Sequence, residues 1–241
     1  MFRFVYVLFF MVSYLIYSIP NLARVKKVSS IENVEESDTI RHSMAKRLAK
    51  GIIVRTGTTV ILKGEGNIPK GPVLFVSNHE GDFDIPVLLG YIEKPFGFMS
   101  KIEVKKVPVI SQWMTVLNCV FVDRKNKRQS VLSIRECITK LKEGHSLVIF
   151  PEGTRNKGKG INSFKTGAFR IALDAEVPII PVHIQGTADI FENQRAGLRP
   201  ASVTINILPP VLPGEYQGKT PRELADDIQG LISSGTITKA S

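Results

Sequence analysis

Cysteine is nearly absent from this chain, with only Cys119 and Cys137 among 241 residues. Neither stands in a CxxC or other ligand spacing, so neither a disulfide framework nor a structural zinc site underlies the fold. Both thiols are expected to be buried, in a reducing compartment. Internal repeats, low-complexity tracts and long linkers are lacking too, which leaves a compact domain rather than a solenoid or a tethered array. Acidic residues are in deficit, 22 Asp and Glu against 32 Lys and Arg, giving a net charge of +10. Such a balance favours anionic partners, whether nucleic acid, anionic lipid or a phosphorylated substrate, and charge alone does not choose among them.

The apolar run near the start is also short. Phe4 to Ile19 reads FVYVLFFMVSYLIYSI between Arg3 and Pro20, and as a helix it would be about 24 Å long against a hydrocarbon core of about 30 Å. A perpendicular span is therefore not expected. No small-x-small cleavage site precedes the charged stretch Arg24 to Lys27, so a retained segment is expected rather than a signal peptide. Arg3, Tyr6, Ser13, Tyr14 and Tyr17 fall within about 100° of a helical wheel, opposite a Phe, Val, Leu and Ile face. A helix so patterned lies in a membrane interface; a short signal-anchor span is the alternative. A second helix is expected from Asp38 to about Ile53, capped by Ser37, with Ile40, Met44, Leu48 and Ile52 recurring every four residues and Arg41, Lys46, Arg47 and Lys50 on the other faces. Its basic surface suits an anionic bilayer, and equally a solvated face.

The chain as a whole is 43% hydrophobic with mean hydropathy +0.06, enough for one catalytic domain plus a small appendage. Strand-like runs occur at 58–63, 73–77, 120–122, 147–150, 179–184 and 203–208. Helix-like runs at 127–142, 164–175 and 221–232 separate most of them. Several strands are continuous Val, Ile and Phe, as in a sheet covered on both faces. The expected class is α/β, with a central, mostly parallel or mixed sheet flanked by helices and an N-terminal two-helix appendage.

The chain leaves the strand VLFVS into Asn-His-Glu-Gly-Asp-Phe-Asp-Ile-Pro. His79 and Asp84 would lie about 140° apart on one regular helix and could not touch. One must therefore stand outside it. With Gly81 turning the chain and Asp84 as N-cap ahead of Pro86, His79 sits at the loop mouth within reach of the carboxylate. Imidazole near its ordinary pKa of about 6.5 can take a proton from a hydroxyl, and a carboxylate fixes its tautomer. No serine is obviously offered as a third member, although Ser77 and Ser100 are formal candidates, so the substrate's own hydroxyl is the expected nucleophile. A divalent-metal site on Glu80, Asp82 and Asp84 beside the histidine, giving a hydrolase on His79, Asp82 and Asp84, is an alternative, as is a basic membrane-binding protein without chemistry.

Three further blocks come in order: NCVFVDR at 118–124, FPEGTR at 150–155 and VPIIPV at 177–182. Together with NHEGDFD they resemble the glycerolipid acyltransferase family, in its bacterial 1-acylglycerol-3-phosphate acyltransferase branch of the PlsC type, over roughly residues 58–212. The resemblance implies that His79 is the base and Asp84 its partner. It implies that Arg124 holds an acceptor phosphate, with Glu152, Gly153, Arg155 and Lys101 as further acceptor contacts, and it matches Lys165 and Gly167 to a family Lys-x-Gly step. Asn118 stands where the family usually has glycine. The implied reaction moves a fatty acyl group from acyl-acyl carrier protein or acyl-CoA to the sn-2 hydroxyl of lysophosphatidic acid, giving phosphatidic acid; glycerol 3-phosphate or another lysophospholipid is the alternative acceptor. No cofactor, metal or nucleic acid is implied. Residues 1–56 are then expected to be a membrane-association segment and 57–241 the acyltransferase domain, on the cytoplasmic face of the inner membrane at an anionic surface.

Overall fold

The computed structural model describes residues 2–26 and 33–235; Lys27, the end of the predicted charged stretch, lies outside them. In chain order the elements are α1 (Phe2–Val25), α2 (Val34–Thr56), β1 (Thr59–Lys63), β2 (Leu74–Ser77), α3 (Asp84–Tyr91), β3 (Gly97–Lys101), α4 (Ile110–Val116) and β4 (Val120–Val122). Then come α5 (Lys127–Lys142), β5 (Leu147–Ile149), α6 (Arg170–Ala175), β6 (Ile179–Gln185), β7 (Ser202–Ile207), α7 (Pro213–Tyr216) and α8 (Pro221–Ser234).

The seven strands form one sheet in the order β1-β7-β6-β2-β5-β3-β4. All neighbours are parallel except β6 and β7. The sheet is thus mixed and mostly parallel, with helices on both faces, as the apolar strands predict. Alternation in β2 separates the two cores: Phe75 points to the layer containing Ile53, Val87 and Leu88, while Leu74 and Val76 point to that of Leu141, Phe169 and Ile228. Both cysteines are buried and unpaired; burial pushes the Cys119 thiol up to about 12.

Two expectations about the N-terminal helices are corrected. The first helix does not stop at Pro20 but runs from Phe2 to Val25, about 36 Å at ~1.5 Å per residue, long enough to cross a membrane. Proline removes one ladder bond, yet beyond it Leu22 and Val25 are buried against Met44, Trp113 and Val116, and that packing carries the helix through. The second helix starts earlier, capped by Asn33, whose side chain accepts the Glu36 N–H; Ser37 is already inside it and buried. Of the predicted apolar stripe, Met44 and Ile52 are buried, whereas Ile40 is exposed.

β3 and α4 escape a reading by periodicity, because GFMSK holds no β-branched residue. β3 passes so close to the next turn that a Cβ on Gly97 would stand 2.6 Å from the Asn118 carbonyl oxygen. Asn118 takes φ +57°, a left-handed conformation that asparagine tolerates, so asparagine serves the turn where the resemblance leads one to expect glycine. Its amide donates to Asp38, 3.1 Å away, and His145 Nδ1 lies 2.6 Å from the other oxygen of Asp38. This second histidine–aspartate pair fastens α2 to the sheet, far from the strand ends that carry the site.

His42 in α2 is 3% exposed, and burial, reinforced by nearby Lys46, lowers its pKa to about 4. Unfolding returns it to about 6.5, so the unfolded chain binds the extra proton and stability falls as pH drops from 6.5 to 4, by about 3 kcal/mol in all. Urea titrations across that window should show the loss, and His42→Phe should remove most of its slope. An unchanged slope would place the acid sensitivity elsewhere.

Candidate active site

Strands β2 to β6 all point the same way, and the chemistry-bearing residues cluster where they end. β2 leads into Asn78 and His79, β3 ends on Lys101, β4 leads into Asp123 and Arg124, β5 into Phe150 to Gly153, and β6 into Gly186 and Thr187. The carboxyl edge of a parallel sheet is where open α/β folds place their ligands.

Asn78 is a buried strut, its amide oxygen accepting the Ile184 N–H and its NH2 donating to the Ile184 carbonyl, both at 2.8 Å. This fixes the loop against β6. His79 Nδ1 lies 2.7 Å from Asp84 Oδ2. Its ring stacks on Phe150 with centroids 4.3 Å apart, and its side chain stays 18% exposed. With Nδ1 committed to the carboxylate, Nε2 is the nitrogen left for a substrate. Asp84 is wholly buried. It is the first helical residue and Phe83 the N-cap, one position from expectation, because its carboxylate is turned to His79 and the Gly81 N–H at 3.1 Å instead of capping α3. Gly81 packs against Glu192: a Cβ there would stand 2.5 Å from Glu192 Oε2, so a larger residue would displace that side chain.

The remaining predicted residues divide into two groups. Glu152, 3% exposed, lies behind His79 and not in the open. One oxygen takes the His79 N–H at 2.6 Å and the other the Asn162 N–H at 2.8 Å, while the Asn156 amide donates to both at 3.2 Å. Arg124 donates through Nη1 to the Gly153 carbonyl, and burial lowers its pKa. Lys165 crosses the same glycine, so close that a Cβ on Gly153 would stand 2.6 Å from Nζ; Gly153 itself has φ +71°. Two cations therefore converge on one turn. Arg155 sits apart, paired with Asp82 and 3.4 Å from Glu192 Oε1. Lys101 is exposed at its strand end.

The acidic side chains of the loop diverge, Asp82 to Arg155 and Asp84 to His79. Among the described residues no cluster of three or more His, Cys, Asp or Glu is arranged to hold a metal. Ser77 is buried with its hydroxyl on the Asn78 carbonyl at 2.9 Å, and Ser100 lines an apolar cavity of about 310 Å³ between α1, α2, α3 and α4.

Sequence reasoning missed Thr187, whose hydroxyl donates to Asp84 Oδ1, and it read Glu80 only as part of a metal alternative. The available signal was a Gly-Thr step directly after β6, at the same sheet edge as His79.

A paired histidine and carboxylate on a strand-to-helix loop, with cations gathered at the next strand ends, is the arrangement of residues that acid–base group transfer uses. The chain belongs to the acyltransferase family: the family model described as Acyltransferase matches residues 59–185. It is 33% identical over 208 residues to a probable 1-acyl-sn-glycerol-3-phosphate acyltransferase of Mycoplasma genitalium, covering 80% of this chain and 76% of that one. To the 1-acyl-sn-glycerol-3-phosphate acyltransferase of Escherichia coli it is 31% identical over 163 residues, covering 67% and 66%. With a probable enzyme of that name from Mycoplasma pneumoniae, the match spans 60% of the relative's length at 34% identity and 65% of this chain. The crystal structure of the 1-acyl-sn-glycerophosphate (LPA) acyltransferase PlsC from Thermotoga maritima is similar throughout, with a TM-score of 0.77, 27% identity and coverage of 97% of this chain and 95% of that one.

Proposed function

We propose that this protein transfers a fatty acyl group from a thioester to the sn-2 hydroxyl of 1-acylglycerol 3-phosphate, forming phosphatidic acid. The observation that carries the reading is the 2.7 Å contact of His79 Nδ1 with Asp84 at the same sheet edge as Arg124 and Lys165. His79 Nε2 takes the proton of the acceptor hydroxyl as its oxygen attacks the thioester carbonyl carbon. The tetrahedral intermediate then expels the thiolate, which recovers that proton from the imidazolium. Asp84 holds the tautomer throughout and balances the transient positive charge. Arg124, with Lys165 beside it, is suited to the acceptor phosphate as a charge-assisted donor. Lys101 adds positive charge at the rim, and Arg155 reaches the acceptor by exchanging its partners Asp82 and Glu192 for it. Glu152 and Gly153 shape the acceptor side by fixing the loop around His79, and the apolar cavity behind α3 takes an acyl chain. The donor is acyl-acyl carrier protein or acyl-CoA.

The test is an acyl-transfer assay offering 1-acylglycerol 3-phosphate and glycerol 3-phosphate side by side with both thioester carriers. Phosphatidic acid should form; acylation of glycerol 3-phosphate in preference would move the acceptor assignment.

The two N-terminal helices within residues 1–56 are read as a membrane-association segment beside the acyltransferase domain of 57–241, seated on the cytoplasmic, anionic face of the inner membrane. Supporting this, α1 turns a stripe of exposed apolar residues away from the protein: Phe2, Val5, Phe9, Val12, Ile16 and Ile19, within about 100° of the wheel. Its opposite side is tied down, Trp113 Nε1 donating to Ser18 at 2.8 Å. A helix held lengthwise against α2 and α4 lies along a bilayer more readily than through it. Removing residues 1–56 would strip Ile52 and Ile53 from the core, so the informative variant changes only the outer stripe. Phe9→Asp with Ile16→Asp should release the protein from sedimenting vesicles of anionic phospholipid with its melting temperature unchanged. A double variant that still pelleted would move the membrane contact to another surface.

A further inference from the structure

Two wholly or largely buried polar residues beside the dyad, Glu80 and Thr187, have no part in the proton transfer proposed for His79. They meet at the turn that ends β6. Gly186 takes φ +97° there, and a Cβ on it would stand 2.2 Å from the Ser202 carbonyl oxygen. Only glycine turns the chain at this point, and the turn brings the next residue back over α3. Glu80 Oε2 accepts the N–H of Gly186 at 2.7 Å and that of Thr187 at 3.0 Å, which fixes the main chain of the turn. The Thr187 hydroxyl has one proton and two carboxylate neighbours. Glu80 Oε2 is 3.3 Å away and Asp84 Oδ1 is nearer, so the proton goes to Asp84. The other Asp84 oxygen faces His79 and Gly81, which leaves Oδ1 to Thr187. Burial first, and the charge of Asp84 second, push the Glu80 pKa up; two carboxylates held this close are costly unless donors separate them.

We propose that Thr187 is a positioning residue for acyl transfer: fixed from behind by Glu80, its hydroxyl locks the rotation of the Asp84 carboxylate and so the aim of His79 Nε2. The inference rests on the acyl-transfer reading. Without the hydroxyl the carboxylate can turn about its last bond while still touching His79, and a small misalignment of a general base costs rate, not substrate binding.

The experiment compares Thr187→Val, which keeps the shape and loses the donor, with Thr187→Ser, which keeps the donor. His79→Ala serves as the reference, and melting temperatures check the fold. Thr187→Val should lower kcat about 30-fold with KM within about twofold, and Thr187→Ser should recover to within about fivefold of the natural chain. If Thr187→Val does not fold, Thr187→Ala, which also lacks the donor, takes its place with the same expectation. A folded hydroxyl-free variant of near-natural kcat, a loss confined to KM, or a Ser variant as poor as the Val one would each overturn the inference. If the natural chain transfers no acyl group at all, the functional reading fails, and this inference falls with it.

Discussion

Replacing His79 with alanine should lower acyl transfer by about 1,000-fold or more, while vesicle binding and melting temperature stay as they are. The size reflects what is lost. A lipid hydroxyl is a poor nucleophile near neutral pH, and nothing else in the site is poised to take its proton: Ser77 is turned to the Asn78 carbonyl, and Glu152 is engaged by main-chain and amide N–H groups. The fold should not suffer, because the loop is held by the Asn78 side chain and by the His79 backbone. The His79 N–H reaches Glu152 and its carbonyl accepts the Asn156 N–H at 2.8 Å, contacts that alanine keeps. The measurement is the initial rate of phosphatidic acid formation at saturating thioester. Retention of more than about a tenth of the activity would remove His79 from the role of base.

The second large effect is expected at Arg124. Its guanidinium is already oriented by the Gly153 carbonyl, so further N–H donors are available to a phosphate without reorganisation. Loss of a charge-assisted pair is worth about 1.5–3 kcal/mol, or roughly 10- to 100-fold. Arg124→Ala should raise KM for 1-acylglycerol 3-phosphate by that factor and leave a neutral monoacylglycerol, tested in parallel, nearly unaffected. Arg124→Lys should fall between, keeping the charge and losing the fork. Equal losses with both acceptors would show that the residue acts on the loop and not on the phosphate.

The limits of α5 at Lys127 and Lys142 and the start of α8 at Pro221 are legible in the sequence, because caps and apolar periodicity are local. The strands β2, β5 and β6 are legible as apolar runs for the same reason. Pro20 misleads, since the rule that proline ends a helix weighs only the lost hydrogen bond and not the burial of Leu22 and Val25 beyond it. The Asp84 cap misleads by one residue, since cap preference ignores what else competes for the carboxylate.

The sequence by itself determined an α/β chain that presents His79 and Asp84 on a strand-to-helix loop, followed by the blocks that carry Arg124 and Glu152. Spacing along the chain decides such features, because strand, turn and helix are set by neighbours a few residues away. Tertiary structure alone decided that Glu152 stands behind His79, that Lys165 joins Arg124 at Gly153, and that Thr187, 103 residues away from Asp84, completes its coordination. Those meetings depend on strand order, with β2 lying between β5 and β6. That order is chosen by how the two apolar faces of the sheet are covered, which no local pattern records.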